Sequence, residues 1–461
     1  MLTRLEVTGF KNLIDFSVDF GPFTCIAGPN AVGKSNIFDA IEFLSLLADK
    51  SFMEAAQLLR SDGPAGGDPR ALFWRNAEGE SPAMVIAAEM IVPSEVEDDF
   101  GRTTRPTMTF LRYELELGYV RPQGGSFSRL GRIELRRESL VHITHGEAPS
   151  HIKWPHSKRN FRDAVLKGRR SGVAFISTDH SMDEATIRVH ADGGSRGQPR
   201  TSPAANAPRT VVSTTTAYDD PTILAARREM QQWRQLALEP SSMRTPDSAN
   251  DPDHIASDGG HLASSLYRLA RTKGEQVYAE IAASAAALTD VREIAVDIDE
   301  RRELLTLEAR MGSGLMLPAR SMSDGTLRFL ALCIMAQDDE VGGLICMEEP
   351  ENGIHPAKIQ EMVELVRDLA VDPTEAPGPD NPLRQVMVNT HSPHFVQFQE
   401  EADLLLAVPL TVRTGEGPQT TVGLMHLAGT WRGDSVERTI SRATIMDYLT
   451  LPDDAPLTLD F

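Results

Sequence analysis

The hydrophobic pattern at the start of the chain predicts two strands, a buried strand and a helix. Leu2 to Val7 alternates as a strand does, and a second strand-like stretch runs from Ile14 to Phe20. Residues 23–27 form a continuously apolar run, which is typical of a buried strand, and residues 37–47 carry apolar side chains at helical spacing. A glycine-rich loop separates this buried strand from the helix. That order is the one a phosphate-binding loop requires.

The pattern changes in the middle of the chain. Residues 82–92 and 109–142 alternate as strands, and we predict that they form an antiparallel lobe. From about residue 160 the pattern is helical and mixed, so we expect a mostly helical insertion over 151–290. Within it, residues 191–209 are rich in Gly, Ser, Pro and Ala, which predicts a flexible loop.

Three regions follow from this pattern. We predict an N-terminal lobe at 1–150, the helical insertion at 151–290 and a C-terminal lobe at 291–461, where alternation resumes. No sustained heptad run occurs, so we do not expect a long coiled coil. The fold class predicted is α/β.

Composition narrows the class of protein. The hydrophobic fraction of 41% and the charged fraction of 24% are ordinary for a soluble globular chain. No apolar run is long enough to span a bilayer, and the N-terminus lacks a signal pattern. The 3 cysteines lie in apolar segments and are expected to be buried thiols, which favours a cytoplasmic protein. A net charge of −20 argues against binding nucleic acid over the whole surface.

Residues 28–35 match the phosphate-loop pattern G-x-x-x-x-G-K-[ST]. Glycines allow backbone N–H groups to face phosphate oxygens, and the helix start adds a favourable dipole. Lys34 is then expected to reach the β- and γ-phosphates of ATP, and Ser35 to ligate Mg²⁺. The alternative is a chance match in a loop, which the preceding strand and following helix disfavour.

A pair of acidic residues forms the second signal. The apolar run 344–347 leads into Glu348 and Glu349. Neighbours on a strand point in opposite directions, so the two carboxylates can serve two purposes. We expect Glu348 to hold Mg²⁺ and Glu349 to act as general base on the attacking water. Two solvated acids at a strand end are the alternative, and the phosphate loop argues against it.

Two weaker signals lie in the same half of the chain. Ser323, Asp324 and Gly325 precede an apolar helical stretch, as an anion-facing helix start does. His391 follows a strand-like run at 386–390. Taken alone, the first is an ordinary N-cap and the second a surface histidine.

The order of these motifs resembles the ABC-type P-loop ATPase heads of the RecF/SMC group. It is similar to stand-alone prokaryotic AAA family ATPases with a Glu-Glu-Pro-Glu-Asn-Gly-Ile-His-Pro segment, here 348–356. The opening 5–13, with its Gly-Phe-Lys-Asn turn, and the segment 238–246 resemble the same family. The resemblance covers residues 1–50 and 300–400 well and the middle patchily.

The resemblance implies a dimer with two ATP molecules between the heads. Ser323, Asp324 and Gly325 are then expected to contact the γ-phosphate bound by the other copy. His391 is expected near that phosphate, and Glu351-Asn352 in a loop linking the two sites. The remaining residues implied to contact the nucleotide are Asn30, Gly33, Lys34, Ser35 and Asn36.

This chain departs from the family pattern at two points. Glu348 stands where the wider superfamily has Asp, so its reach towards Mg²⁺ is longer by one methylene and a water-mediated contact is expected. A Mg²⁺-ligating glutamine is not evident, because Gln57 lies in a helical pattern.

The segment 101–172 is locally basic, with 15 Lys/Arg against 6 Asp/Glu. Its cluster interleaves cations with Trp154 and includes Lys158, Arg159 and Arg162. One interpretation is a surface that contacts nucleic-acid phosphates. A solvated face and a dock for an acidic partner are equally good alternatives.

Only 70 residues follow His391, which is short for an appended nuclease domain. The resemblance therefore points to an ATP-switched dimer, or higher oligomer, that regulates a separate effector such as a nuclease in antiphage defence. The alternative is a RecF-like repair ATPase that binds DNA directly. A membrane-transporter subunit is disfavoured by the missing Gly-Gly-Gln after the signature serine. A scaffold that binds nucleotide without hydrolysing it is disfavoured by Glu349.

Overall fold

The structure is a computed structural model. Arg169 and Arg170 of the basic segment, and residues 193–197 of the predicted loop, lie outside the residues it describes. The described residues are 1–59, 68–75, 83–121, 131–168, 172–181, 184–192, 198–216, 219–414, 417–433 and 438–450.

The described strands, in chain order, are β1 (Leu2–Thr8), β2 (Phe16–Asp19), β3 (Phe23–Ala27), β4 (Met84–Ile91), β5 (Val96–Glu97), β6 (Thr103–Thr104), β7 (Phe110–Val120), β8 (Arg132–His142), β9 (Ile176–Asp179), β10 (Thr186–Val189), β11 (Arg200–Pro203), β12 (Arg234–Leu236), β13 (Asp247–Ser248), β14 (Val291–Asp299), β15 (Leu304–Met311), β16 (Met316–Pro318), β17 (Gly343–Glu348), β18 (Arg384–Thr390), β19 (Leu404–Thr414), β20 (Gly417–Leu427) and β21 (Thr439–Ile440).

The described α-helices are α1 (Lys34–Leu47), α2 (Phe52–Leu58), α3 (Ala148–His151), α4 (Asp163–Val165), α5 (Val211–Thr214), α6 (Pro221–Gln231), α7 (Pro240–Met243), α8 (Leu262–Lys273), α9 (Gln276–Leu288), α10 (Asp324–Ala336), α11 (Ile359–Asp368), α12 (Pro393–Val396) and α13 (Arg442–Thr450). A π-helical turn spans Lys158–Arg162, and short 3₁₀ turns occur at Pro69–Leu72, Ala319–Ser321 and Pro356–Lys358.

The first sheet is the antiparallel lobe that the sequence predicts. Its eight strands run in the order β11-β10-β9-β8-β7-β4-β1-β2. Strand β7 alternates between buried and partly exposed positions along most of its length, as expected where one face of a sheet packs on a core.

Three strands of this sheet lie in the region predicted to be mostly helical. Strands β9, β10 and β11 extend the antiparallel lobe from residue 176 to residue 203, so the helical prediction for 151–290 is wrong there. The predicted loop 191–209 likewise contains β11. The residues of β11 are all exposed and polar or Pro, so they carry no apolar alternation from which a strand could be read.

The second sheet positions the candidate site. Its order is β12-β17-β18-β3-β19-β20-β21, and the first five of these strands pair in parallel. Every residue of β3 and β18 is buried, as expected for parallel strands covered on both faces. Carboxyl ends of parallel strands meet at one edge, where ligands of open α/β sheets bind.

A smaller sheet of β13, β15, β14 and β16 packs with α8 and α9 beside the second sheet. The longest described helix is α1, with 14 residues, so the described chain contains no long coiled coil, as predicted. Among the described residues, no helix combines the length and apolar character needed to cross a bilayer. All three cysteines are buried, as predicted.

Candidate active site

The phosphate-loop segment 28–35 joins the carboxyl end of β3 to the start of α1. Ala31 and Gly33 have positive φ angles of 64° and 108°. A Cβ on Gly33 would lie 2.5 Å from Nδ2 of Asn12 and 2.8 Å from Cγ2 of Val422. Glycine is therefore required at residue 33 both by the backbone conformation and by the space available.

Lys34 lies inside this loop. Its side chain is only 7% exposed, and its Nζ donates to the carbonyl oxygens of Gly28 and Pro29, at 2.7 Å each. The loop thus wraps around a buried ammonium group. A cation in that position is suited to charge neutralisation of a bound polyphosphate.

The turn at residues 9–12 braces the phosphate loop, a role that the motif itself did not reveal. Asn12 Nδ2 donates to the carbonyl of Val32 at 3.2 Å, and its Oδ1 accepts from Asn36 Nδ2 at 2.7 Å. Lys11 forms an ion pair with buried Asp39 of α1 at 2.5 Å. The side chain of Asn36, predicted to contact nucleotide, is therefore engaged with Asn12.

Register places the two acids beside the phosphate loop. Glu348, the last residue of β17, pairs with Asn389, and the next residue of β18, Thr390, pairs with Ala27 of β3. Glu349 lies beyond the strand, with φ of 47°. The opposite-face argument from strand geometry therefore does not apply to Glu349. A left-handed turn separates the two carboxylates instead, at a conformational cost of about 1–3 kcal/mol.

The Glu349 carboxylate is held from two sides. Its Oε1 lies 2.5 Å from Nδ1 of His391, and its Oε2 accepts from Nδ2 of Asn352 at 2.7 Å. Its backbone N–H donates to the carbonyl of Asn389 at 2.9 Å. The structure thus brings His391 to the second acid of the pair, a contact that the sequence did not specify.

Glu351 is a functional candidate that sequence reasoning treated only as part of a loop. It is 7% exposed, and its Oε1 accepts from the hydroxyl of Thr390. That same hydroxyl accepts from the backbone N–H of Ser392 at 2.9 Å. Burial raises the pKa of Glu351. Its side chain therefore ties the carboxylate loop to the segment that carries His391.

The signature residues begin α10. Ser323 is the N-cap, and its hydroxyl accepts from the backbone N–H of Thr326 at 3.2 Å, as the sequence predicts for a helix start. Asp324 forms an ion pair with Arg244. A Cβ on Gly325 would lie 3.6 Å from the carbonyl oxygen of Gly353. The start of α10 therefore packs close to the carboxylate loop of the same chain.

Arg328 connects α10 to that loop directly. Its Nη1 donates to the carbonyl of Asn352, the residue whose side chain holds Glu349. A pocket of about 180 Å³ lies where the end of β12, α10 and the carboxylate loop meet. Its lining includes Glu239, Arg328, Glu348 and Glu349.

Gln57 lies in α2, consistent with its helical pattern.

The basic segment divides into paired and unpaired cations. Arg112 pairs with Glu6, and Arg137 with Glu114. Among the described residues, the charged groups of the exposed Lys158 and Arg159 and the half-buried Arg162 have no ion-pair partner.

Trp154 is not part of that surface. It is 3% exposed and packs edge-on against His156 and Phe161, with ring centroids 5.1 and 5.3 Å away. The expected interleaving of cations and an aromatic ring is therefore wrong, because hydrophobic burial takes the indole into the core. The three cations of the π-helical turn remain at the surface.

Two family models match parts of this chain. Residues 1–115 match the family model described as "AAA ATPase domain". Residues 213–397 match the model described as "AAA domain, putative AbiEii toxin, Type IV TA system". The first match covers the phosphate loop, and the second covers the signature residues, both acids and His391.

The curated relatives are RecF proteins. The "DNA replication and repair protein RecF" of Lactococcus lactis subsp. cremoris (strain MG1363) is 31% identical over 97 residues, 21% of this chain and 23% of that protein. The RecF protein of Parabacteroides distasonis is 35% identical over 63 residues, 13% of this chain and 17% of that protein. The matched part thus spans less than a quarter of each relative.

Solved structures of SMC heads also resemble this chain. One is the SMC head bound to the C-winged helix domain of ScpA, with a TM-score of 0.47, 14% identity and coverage of 92% of this chain and 98% of that chain. Another is the Pyrococcus furiosus SMC head with an extended coiled coil, with a TM-score of 0.43, 11% identity and coverage of 92% and 96%.

The family models and the RecF matches support an ABC-type ATPase head of the RecF/SMC group. They confirm the family predicted from the motifs. AAA ATPase domains imply nucleotide binding.

Proposed function

We propose that the protein is a Mg²⁺-dependent ATPase that hydrolyses ATP at the edge formed by β3, β17 and β18. The observation that supports this most is the position of Glu349, held by His391 and Asn352 beside the phosphate loop. A carboxylate that needs no rearrangement to accept a proton is suited to general-base catalysis. Phosphoryl transfer otherwise depends on positioning and charge stabilisation.

Each residue has a part in this proposal. Lys34 and the backbone of the phosphate loop bind the β- and γ-phosphates, with Asn30 and Gly33 shaping the loop. Ser35 and Glu348 would hold Mg²⁺, which supplies charge neutralisation at the phosphates when bound. Glu349 accepts a proton from the attacking water. His391 orients the Glu349 carboxylate and lies on the side where the γ-phosphate is expected.

The protein acts, in this proposal, as an ATP-switched dimer. Ser323, Asp324 and Gly325 of one copy contact the γ-phosphate bound by the other, with the N-terminus of α10 facing the negative charge. The N-cap geometry of Ser323 supports the proposal, because it leaves a regular helix start at this position. ATP then joins two copies, and hydrolysis separates them.

The switch regulates a separate effector, for which we propose a nuclease acting in antiphage defence in the cytoplasm. The match to a family described by a toxin of a toxin–antitoxin system supports a two-component arrangement. The unpaired cations at 158–162 offer a surface for an acidic partner or for nucleic acid. The RecF-like alternative, direct action on DNA in repair, has weaker support, because the RecF matches cover only a small part of each relative.

Two measurements test the proposed ATPase activity and the ATP-dependent dimer. Phosphate release from ATP should require Mg²⁺ and should fall 10²–10⁴-fold in Glu349→Gln, the range for loss of a general base. Light scattering should show that Glu349→Gln accumulates as a dimer with ATP and as a smaller species without it. Glu375→Gln, an exposed acid in another loop, is the matched control. Unchanged turnover in Glu349→Gln would remove the base assignment.

A third measurement tests the proposed regulation of a separate effector. Tagged Glu349→Gln protein is recovered from its native host with ATP and Mg²⁺, with and without nuclease treatment. One stoichiometric protein that survives nuclease treatment supports the effector. Recovery of nucleic acid alone supports the RecF-like alternative.

A further inference from the structure

A second polar pocket shares no lining residue with the phosphate loop. It has a volume of about 380 Å³ and lies between the edge strand β2 of the first sheet, with its neighbour β1, and the β19–β20 hairpin of the second. Leu405 and Leu424 form an apolar wall. Four lining residues are permanent cations and one is acidic, a formal excess of three positive charges: Arg4, Lys153, Arg432, Arg438 and Asp19.

Internal ion pairs account for only part of this charge. Asp19 accepts from Arg4 at 2.9 Å and from Lys153 at 2.7 Å, and Arg4 also pairs with Glu6 at 2.7 Å. Arg438 is exposed and has no ion pair with the described residues.

Arg432 is the residue of this pocket that most strongly indicates a bound ligand. Its Nη1 donates to the backbone carbonyl of Asp19, and its guanidinium stacks on Trp431 with 4.1 Å between the guanidinium carbon and the ring centroid. Its Nε and Nη2 atoms are buried and have no hydrogen-bond partner among the described residues. Native structures leave few buried donors unpaired, so this pair of donors requires an explanation.

The two unpaired donors of Arg432 have a defined geometry. Nε and Nη2 lie on one edge of the planar guanidinium, which is the fork that binds two oxygens of a phosphate or carboxylate. Burial lowers the pKa of Arg432 to about 10, so the group stays cationic at neutral pH. A positive fork fixed by Asp19 and Trp431 is already ordered for an oxyanion.

The pocket is distinct from the phosphate loop. Strand β20 approaches that loop at Val422, and it reaches the pocket first at Leu424, two residues later, and then at His426. At about 3.3 Å per residue, Val422 is ~7 Å from Leu424 and ~13 Å from His426. On the other side, the pocket extends from Asp19, before the turn that enters β3, to Leu405, which pairs with Ile26 of that strand. The phosphate loop follows the carboxyl end.

We propose that this pocket binds the phosphate group of a phosphate monoester, with the Arg432 fork on two phosphate oxygens. The excess of cations suits a doubly charged phosphate better than a carboxylate. Leu405 and Leu424 are placed to contact the organic part of the ligand. A pocket of this size accommodates a nucleoside monophosphate or the terminal nucleotide of a strand. Both ligands present the same phosphate monoester group to the pocket.

The experiment uses the full chain with Lys34→Ala, which weakens phosphate binding at the first site. Inorganic phosphate, titrated in a calorimeter, should bind saturably at one site, and Arg432→Gln in this background should weaken binding tenfold or more. If Arg432→Gln does not fold, Arg438→Gln at the rim should still weaken binding severalfold. Arg413→Gln, an exposed arginine on β19 outside the pocket, should have no effect.

Further arms identify the source of the phosphate. AMP is compared with a short oligonucleotide carrying a 5′-phosphate and with the same oligonucleotide carrying a 5′-hydroxyl. Tighter binding of AMP identifies a small ligand, and a preference for the 5′-phosphate over the 5′-hydroxyl identifies a strand end. Absence of saturable binding by all these probes would overturn the proposal. So would binding unaffected by both Arg432→Gln and Arg438→Gln.

Discussion

Nδ1 of His391 lies 2.5 Å from Oε1 of Glu349, while Asn352 holds the other carboxylate oxygen. The register of β17 and β18 creates this contact, because it brings the ends of the two strands side by side. A carboxylate fixed at both oxygens has little freedom to rotate.

Replacing His391 by Ala should lower the turnover number for ATP by 10-fold or more and change KM little. The residue orients Glu349 and does not contribute to the phosphate loop, so ground-state binding should persist. Steady-state phosphate release over a range of ATP concentrations provides the measurement. His394→Ala, a nearby histidine in α12, is the matched control. A rise in KM with an unchanged turnover number would place His391 in nucleotide binding instead.

Lys34→Ala should abolish ATP binding at the phosphate loop. The substitution removes the buried ammonium that the loop wraps, and its contacts with the carbonyls of Gly28 and Pro29. Binding of a fluorescent ATP analogue is the measurement, with Lys50→Ala beyond the end of α1 as control. Retained affinity in Lys34→Ala would contradict the assignment of this loop.

Ser323→Ala should lower stability by about 1 kcal/mol, the usual cost of losing an N-cap. It should also reduce ATP-dependent dimer formation if α10 faces the second copy. Thr210→Ala removes a cap from α5, where the hydroxyl accepts from Ser213 N–H at 3.0 Å and also donates to the Leu47 carbonyl at 3.1 Å. Urea unfolding should show a loss in both variants, and the larger loss in Thr210→Ala. Dimer formation, measured by light scattering, should fall only in Ser323→Ala, and an equal fall in both variants would argue against a dimer role.

Glu138 should make folding stability depend on pH. Burial raises its pKa to about 7, although it accepts from Val211 N–H, Val212 N–H and the Tyr113 hydroxyl. The folded state then binds a proton more tightly than the unfolded state, so this contribution is full below pH ~4.5 and is lost as pH rises to about 7. The loss is on the order of 3 kcal/mol.

Urea unfolding at pH 5 and pH 8 measures this effect. The stability difference between the two pH values should shrink in Glu138→Gln. Glu134→Gln, on the same strand, should preserve it. An unchanged difference in Glu138→Gln would show that other groups dominate the pH dependence.

Reversing the charges of Lys158, Arg159 and Arg162 should weaken binding of the effector or of nucleic acid at least tenfold. These cations have no ion-pair partner among the described residues, so the change breaks no described salt bridge. Co-precipitation and filter binding at two salt concentrations are the measurements. Reversal of Arg301 and Arg302, exposed in the β14–β15 turn, is the control. Equal binding by both variants would show that the segment is a solvated face with no role in binding.

Local pattern predicted the elements that carry the site better than it predicted their contacts. Strand β3, the phosphate loop and α1 have strong local signals, and the structure contains all three. The pairing of His391 with Glu349 depends on strand register between segments 42 residues apart, which no local pattern encodes. Strand β11 was missed because it buries no side chain. Trp154 was misplaced because several cations lie close to it in sequence, whereas its ring packs against His156 and Phe161.

The contact between Arg328 and the carbonyl of Asn352 has a mechanical consequence. Two bonds in series, Arg328 to Asn352 and Asn352 to Glu349, connect the first turns of α10 to a single carboxylate oxygen. A displacement of that helix therefore acts on the contact that holds one oxygen of Glu349. In the proposed mechanism, a load on the end of α10 therefore alters the rate of ATP cleavage by shifting the general base.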